Sequence, residues 1–388
     1  MPFAARTHHL QPEGAYEVLA RANQLEDAGK EIIHLEIGQP DYATFENVSQ
    51  AGIEAIRAGK TRYTPPAGIP SLRETLADDA GRRRGIEIHP DEVVVSPGGK
   101  PNLFFPTLAL VELGDEVIYP NPGFPTYEAM IKVAGGMPVA VPLLEQNQFS
   151  FDLEAFDNLI NERTKLIILN SPSNPTGGVI PPADLEHIAS QTERYGCWIM
   201  SDELYTRIVY DGLEALSIAT LPGMKERTII VDGFSKTYSM TGWRLGFGIM
   251  PKELAARVDL LLTHSIGSTA HFTQFAGLEA VTGPQDMVEV MVTEYQRRRD
   301  AIVDGLNSIP GFTCQKPQGA FYAFPNITGT EMGSTELANL ILEEAGVALL
   351  PGNSFGEYGE GYLRLSYANS IANIEIGLDR IRATLKNL

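Results

Sequence analysis

The apolar run at residues 228–231 leads into the tract Phe234-Ser235-Lys236-Thr237-Tyr238-Ser239-Met240-Thr241-Gly242-Trp243-Arg244. A lysine held where a strand gives way to a loop can condense with an aldehyde. An arginine eight residues further along the chain can neutralise a phosphate on the same small molecule. Lys236 and Arg244 therefore suggest pyridoxal phosphate as a bound cofactor. Alone, a Ser-Lys pair is more often a solvated surface feature, so this interpretation depends on the rest of the chain.

Seven short apolar runs predict the buried strands of a sheet: residues 93–96, 117–119, 138–141, 166–169, 198–200, 228–231 and 245–250. Segments with helical spacing separate several of these runs. Leu185, Ile188 and Ala189, for example, recur at the spacing of one helix face. Strands that alternate with helices are typical of a mainly parallel sheet. The sequence therefore predicts an α/β fold whose large domain contains a seven-stranded, mainly parallel sheet.

The pattern changes after about residue 284. A long charged segment is followed by stretches rich in glycine and proline, and then by a final helix with Ile374, Leu378 and Ile381 on one face. The N-terminal segment also has helical spacing and could pack with this C-terminal part. We therefore expect a large cofactor-binding domain at residues 46–283 and a smaller α+β domain formed by residues 1–45 and 284–388.

Composition and charge disfavour several classes of protein. The 388 residues are 43% hydrophobic, enough for a sizeable core, and the net charge of −19 disfavours nucleic acid or an anionic membrane as a partner. No apolar run approaches the roughly 20 residues that a transmembrane helix needs. Cys197 and Cys314 lie far apart and in no metal-ligand spacing, so we expect no metal and no disulfide. These features predict a cytoplasmic protein.

Three tracts with unusual loop chemistry follow predicted strands. Gly98-Gly99-Lys100 could offer backbone N–H groups to an anion, although a plain turn needs no ligand, and the spacing is not that of a Walker loop. Phe124 follows a rigid Asn-Pro-Gly turn and could stack against the flat ring of a ligand, although an aromatic side chain more commonly packs in the core. The loop at residues 170–178 contains two asparagines and two prolines, which would fix a polar side chain such as that of Asn174.

Two charged residues lie in strongly apolar surroundings. Asp202 directly follows the run at residues 198–200, so a carboxylate there needs a cationic partner unless it caps a helix. Arg364 alternates with apolar neighbours in the tract at residues 362–367 and is suited to bidentate recognition of a carboxylate. The alternative for Arg364 is an ion pair on an edge strand.

Taken in chain order, these tracts resemble the class I/II aminotransferases of pyridoxal-phosphate fold type I. The motifs that carry the resemblance are Gly-Gly-Lys at 98–100, Ser-Pro-Ser-Asn-Pro-Thr-Gly at 171–177, Ser-Asp-Glu-Leu-Tyr at 201–205, Phe-Ser-Lys at 234–236, Met-Thr-Gly-Trp-Arg at 240–244 and Tyr-Leu-Arg-Leu-Ser at 362–366. The tracts at 63–70 and 319–322 make the chain look most like the bacterial aspartate aminotransferase branch. The similarity covers nearly the whole chain.

The resemblance implies a role for each site residue. Lys236 would bond covalently to the cofactor aldehyde and act as the catalytic base, while Asp202 pairs with the pyridinium nitrogen. The substrate would be bound by Arg364, Asn174 and Gly38. The implied cofactor-binding residues are Tyr63, Gly99, Lys100, Phe124, Asn174, Asp202, Tyr205, Ser235, Lys236 and Arg244. Family members are homodimers, so Tyr63 is expected to reach the phosphate bound by the partner subunit.

The implied activity is transfer of an amino group from an L-amino acid to a 2-oxo acid by a ping-pong mechanism, with aspartate and 2-oxoglutarate as one possible pair. A lyase or decarboxylase of the same fold would use Lys236 and Asp202 identically but break another bond. A non-catalytic regulatory protein of this fold is the third alternative. It would need an added DNA-binding module, and we expect the predicted elements to leave no residues for one.

One departure concerns specificity for a second substrate carboxylate. Relatives that act on aspartate or prephenate tend to show Pro-Ser-x-Thr near the N-terminus, whereas this chain has Pro12-Glu13-Gly14-Ala15. Lys100 retains the lysine that relatives can aim at an acidic side chain. The stretch at residues 265–271 offers no arginine to bind such a side chain.

Overall fold

Within residues 3–8, 10 and 12–386, which the computed structural model describes, a mixed sheet of eight strands forms the centre of the protein. In spatial order its strands are Val93–Ser96, Gly246–Ile249, Thr228–Gly233, Trp198–Asp202, Thr164–Asn170, Glu116–Asn121, Met137–Leu144 and Ser150–Phe151. All seven predicted strands are present, which confirms the predicted α/β fold. The additional strand, Ser150–Phe151, lies at the edge of the sheet and is too short to give a pattern in the sequence.

The direction of the strands places the candidate site. The five strands from Thr228–Gly233 across to Met137–Leu144 run parallel, and Gly246–Ile249 is antiparallel to both of its neighbours. In this register Asp202 pairs with Asn170 on one side and with Val231 on the other. The carboxyl ends of three adjacent strands therefore meet at one edge, where open α/β sheets bind their ligands.

Helices cover both faces of the sheet because successive strand residues point to opposite sides. Leu166 and Ile168 pack into one apolar layer, and Ile167 and Leu169 pack into the opposite one. The described residues form the α-helices Gly14–Asp27, Glu46–Arg57, Pro70–Arg84, Lys100–Leu110, Thr126–Ala134, Leu153–Leu159, Pro182–Tyr195, Phe234–Thr237, Lys252–Thr263, His271–Thr282, Asp286–Asn307, Ser334–Leu340 and Ile371–Leu385. In this described part of the chain, none of the helices is long and apolar enough to cross a membrane.

A separate apolar cluster joins the C-terminal segments. Asp286–Asn307 and Ile371–Leu385 pack their apolar faces together against the strand Leu363–Ser366. That strand pairs antiparallel with Tyr322–Ala323 and with Leu350–Pro351. The N-terminal segment joins this part, because Ile33–His34 pairs with Val347–Ala348 and Ala22 packs against Leu342. The additional small sheets place Arg364 beside the edge of the large sheet that carries Asp202.

Candidate active site

Lys236 lies in a short helical turn, Phe234–Thr237, that begins where the strand Thr228–Gly233 ends. Its Nζ donates a hydrogen bond to the carbonyl oxygen of Gly38 at 2.5 Å. Desolvation in the pocket lowers the pKa of Lys236 from 10.5 to about 8, and the nearby guanidinium groups of Arg364 and Arg244 act in the same direction. A larger fraction of the amine is therefore neutral near neutral pH, which a nucleophile or general base requires.

Asp202 is the last residue of the strand Trp198–Asp202 and is 6% exposed. Its carboxylate accepts a hydrogen bond of 2.7 Å from the hydroxyl of Tyr127 and a longer one from the backbone N–H of Leu204. Desolvation raises the pKa of Asp202 from 3.8 to about 6 and outweighs both hydrogen bonds, which favour the ionised form. A carboxylate desolvated in this way is suited to a ligand that brings a cationic N–H group.

The loop after the strand Thr164–Asn170 is fixed by side chain to backbone bonds. Asn170 accepts from the backbone N–H of Asn174 at 2.8 Å and donates to the carbonyl of Asp202 at 3.1 Å. The oxygen of the Asn174 side chain accepts from Nη1 of Arg364 at 3.0 Å. These bonds connect the two strand ends of the large sheet to Arg364 on the C-terminal part.

Arg364 is held in one position from several directions. Its Nη2 donates to the backbone oxygen of Glu36 at 2.5 Å, and its guanidinium lies 4.5 Å from the ring centre of Tyr322 and 4.9 Å from that of Phe355. Its Nε is buried and has no hydrogen-bond partner among the described residues. A buried, preorganised guanidinium with a spare donor is suited to binding a carboxylate.

A pair of buried tyrosines lies beside Lys236. The hydroxyls of Tyr205 and Tyr322 are 2.7 Å apart, and burial raises the pKa of both, so that both remain protonated donors. The backbone of Gly38 passes so close to this pair that a Cβ there would lie 2.2 Å from the Tyr322 hydroxyl. Gly38 is therefore required by the packing of the pocket.

Another part of the pocket is suited to an anion. The helix Lys100–Leu110 begins directly after Gly99, so the first N–H groups of the helix face this end. Arg244 lies against the preceding turn, because a Cβ on Gly98 would lie 2.3 Å from its Nη2. Ser235 is buried in the lysine-bearing turn and lines the same cavity. A guanidinium beside a helix N-terminus is a typical arrangement for binding a phosphate.

Nearly all the predicted site residues line one cavity of about 700 Å³. They are Gly38, Gly99, Lys100, Phe124, Asn174, Asp202, Tyr205, Ser235, Lys236, Arg244 and Arg364. Tyr63 lies outside it and is fully exposed. Sequence reasoning missed Tyr127 as a partner of Asp202 and Tyr322 as a partner of Tyr205. Tyr127 lies three residues after Phe124, but nothing in the sequence tells which way its side chain points.

These residues fit pyridoxal phosphate in three respects. A lysine with a lowered pKa, a desolvated carboxylate and a guanidinium beside a helix N-terminus lie around one cavity. They match the aldehyde, the ring nitrogen and the phosphate of that molecule. Fold and site together define a pyridoxal-phosphate-dependent enzyme of fold type I.

Comparison with known proteins gives the family. The family model described as "Aminotransferase class I and II" matches residues 30–381, so the chain belongs to this family, and pyridoxal phosphate is its cofactor. The chain is 40% identical over 387 residues to an aspartate aminotransferase of Geobacillus stearothermophilus, covering 98% of each. It is also 40% identical to a probable aspartate/prephenate aminotransferase of Aquifex aeolicus, covering 99% of each.

Solved structures agree with this assignment. The aspartate aminotransferase of Thermus thermophilus with maleate superimposes with a TM-score of 0.95 at 36% identity, covering 99% of this chain and 100% of the other. An aromatic aminotransferase from Pyrococcus horikoshii gives a TM-score of 0.90 at 37% identity, covering 94% and 99%. The similar structures therefore include proteins named for acidic and for aromatic substrates.

Proposed function

We propose that this protein transfers an amino group from an L-amino acid to a 2-oxo acid in two half-reactions. The observation that carries the proposal is the position of Arg364, whose buried guanidinium shares one cavity with Lys236 and Asp202. A carboxylate site beside a reactive lysine is what an amino acid substrate needs, because binding its α-carboxylate positions its α-carbon. Aspartate with 2-oxoglutarate is the first pair to assay, given the names of the relatives.

Lys236 has two tasks in this proposal. Its amine would hold the cofactor covalently until an amino acid substrate binds. The neutral Nζ would then act as the general base that removes the proton from the substrate α-carbon, and as the acid that returns it. The pKa of about 8 supports both tasks, since the neutral amine is accessible near neutral pH.

The other residues of the site would bind and orient the cofactor and the substrate. When bound, the cofactor supplies an electron sink for the electrons of the broken Cα–H bond. The Asp202 carboxylate would keep the ring nitrogen of the cofactor protonated, and Asn174 and Tyr205 would hold its ring hydroxyl. Arg364 and Asn174 hold the substrate carboxylate, with Gly38 leaving space. Ring stacking is assigned to Phe124, and phosphate binding to the backbone N–H groups of Gly99 and Lys100 and to the side chains of Ser235 and Arg244.

The assembly proposed is a homodimer in which Tyr63 contributes to the site of the partner subunit. Tyr63 is fully exposed, and the neighbouring Thr64 N–H donates to Ser268, close to the half-exposed Ile266. Exposed aromatic and aliphatic side chains grouped in this way are typical of an interface. Light scattering should give twice the mass of one chain, and Tyr63→Phe should weaken cofactor retention.

We also propose the domain division at residues 46–283 against residues 1–45 and 284–388. Most members of the apolar cluster that joins the C-terminal segments lie within residues 1–45 and 284–388, which supports this division, and Tyr205, Ile208 and Tyr210 of the large domain pack against them. Two buried free thiols, Cys197 and Cys314, support a reduced compartment such as the cytoplasm.

Borohydride reduction of the holoenzyme, followed by peptide mass spectrometry, tests the anchor. The cofactor should appear on Lys236, and Lys236→Ala should lose both this label and turnover. Lys252→Ala is the matched control, because Lys252 is exposed and paired with Asp91. Label on another lysine would contradict the assignment of Lys236. Release of ammonia or carbon dioxide in place of a 2-oxo acid would favour the lyase or decarboxylase.

A further inference from the structure

Glu13 places a negative charge in the pocket at the position where the sequence departs from its relatives. It immediately precedes the helix Gly14–Asp27, yet its side chain makes no capping hydrogen bond to that helix. The carboxylate instead forms an ion pair with the ammonium group of Lys100, 87 residues away in the chain. Both side chains are partly exposed and line the active-site cavity.

Packing fixes the position of Glu13. A Cβ on Gly14 would lie 2.6 Å from the hydroxyl oxygen of Ser354, so the start of the helix lies tightly against the short helical segment Gly352–Phe355. That segment also supplies Phe355, which contacts the guanidinium of Arg364. The element that positions Glu13 is therefore attached to the element that supports the carboxylate site.

Lys100 is held on its other side as well. Its ammonium group lies 5.2 Å from the ring centre of Phe124, in a cation–π contact. The ion pair is therefore adjacent to the ring of Phe124. Ala15, Tyr16, Leu19 and Ile37 also line the cavity. A substrate side chain entering this region meets a compensated charge pair and a mostly apolar wall.

We propose that Glu13 is a specificity-determining residue, which compensates Lys100 and thereby favours amino acids with uncharged side chains over acidic ones. This inference rests on the proposed transamination and goes beyond it by naming the class of substrate side chain. An acidic side chain needs a free cation, and Lys100 is already paired. To bind there, a second carboxylate must displace Glu13 or lie beside it, and either arrangement is unfavourable.

The variant Glu13→Gln separates the charge from the shape of this residue. Its amide keeps the size of the side chain but releases Lys100 for a substrate carboxylate. The ratio of kcat/KM for aspartate to that for phenylalanine should rise by about tenfold or more, an amount typical of one charged hydrogen bond. Glu17→Gln removes the same charge from an exposed position in the same helix, and its ratio should stay within about twofold.

A binding measurement provides a readout that does not depend on turnover. Maleate and 3-phenylpropionate are titrated into each holoenzyme, and the change in cofactor absorbance gives both dissociation constants. Glu13→Gln should shift the preference toward maleate by a similar factor. The double variant Glu13→Gln with Lys100→Gln should lose this gain, because the released cation is absent.

An unchanged aspartate to phenylalanine ratio in Glu13→Gln would overturn the proposal, as would a gain that survives in the double variant. Failure of the transamination proposal looks different, since no amino acid would then yield a 2-oxo acid with the wild-type protein. In that case the maleate preference still decides whether Glu13 opposes acidic ligands.

Discussion

Replacing Asp202 with Asn should raise the stability of the cofactor-free protein. It should also reduce the stabilisation that bound cofactor provides. The pocket desolvates the Asp202 carboxylate and raises its pKa from 3.8 to about 6. An ionised group in that state opposes folding until a cation arrives. Asn keeps the shape and can still accept the hydrogen bond from Tyr127, but it carries no charge to desolvate.

The magnitude follows from the two pKa values. A change from 3.8 to about 6 corresponds to about 3 kcal/mol of unfolding free energy, and this cost is fully present above pH 6. It is lost as the pH falls toward 3.8, because the folded state then binds the proton first. At pH 5 about half of it remains. For a chain of 388 residues, about 3 kcal/mol shifts Tm by about 3–4 °C.

Thermal unfolding of the cofactor-free protein at pH 8 and pH 5 checks this prediction. Asp202→Asn should raise Tm at pH 8 and raise it about half as much at pH 5. Asp78→Asn, at an exposed helix position, is the control and should change little. Added cofactor should raise Tm more in the wild type than in Asp202→Asn. A lower Tm for cofactor-free Asp202→Asn at both pH values would refute the reasoning.

Three other perturbations have defined outcomes. The rate at which the cofactor reacts with the cofactor-free protein should rise with pH and level off above about pH 8 rather than 10.5, because the pocket lowers the pKa of Lys236. Stopped-flow absorbance measures this rate. A rate that still rises at about pH 10 would contradict the prediction. Arg364→Lys should raise KM for every amino acid by about tenfold to a hundredfold, because a charged hydrogen bond is worth about 1.5–3 kcal/mol. Steady-state assays measure KM, and equal values for the variant and the wild type would contradict the assignment of Arg364 as the carboxylate-binding residue. Arg84→Met should lower the unfolding free energy by about 3–5 kcal/mol, because buried Glu203 loses its cationic partner and Asp232 keeps only the longer contact with Arg83. Exposed Arg82→Met should cost less than about 1 kcal/mol. Denaturant titration measures both values, and similar losses would argue against a buried ion-pair network.

The sequence predicted those parts of the site that depend on where strands end. Asp202, Asn174 and Lys236 each lie at or just after an apolar run, and parallel strands bring such ends together at one edge. The apolar runs also located the strands of the large sheet, apart from the two-residue edge strand. Fold class and site composition therefore follow from local patterns and from the resemblance.

Contacts that depend on side-chain direction could not be predicted. Tyr127 reaches Asp202 across 75 residues of chain, and Glu13 reaches Lys100 across 87. In a loop, the direction of such a side chain has no periodic pattern in the sequence from which it could be predicted. The resemblance indicated only that Glu13 occupies a position where relatives tend to have serine. Its contact with Lys100 depends on where the N-terminal helix packs beside the pocket.

The most direct test of the account mixes the holoenzyme with one amino acid at a time and no 2-oxo acid. Absorbance follows the lysine-bound cofactor while the released product is quantified. We expect one equivalent of 2-oxo acid per site, matched by conversion of the cofactor to its amine form, and no further release until a 2-oxo acid is added. Continuous release of ammonia or carbon dioxide from a single amino acid, with the cofactor unchanged, would contradict transamination.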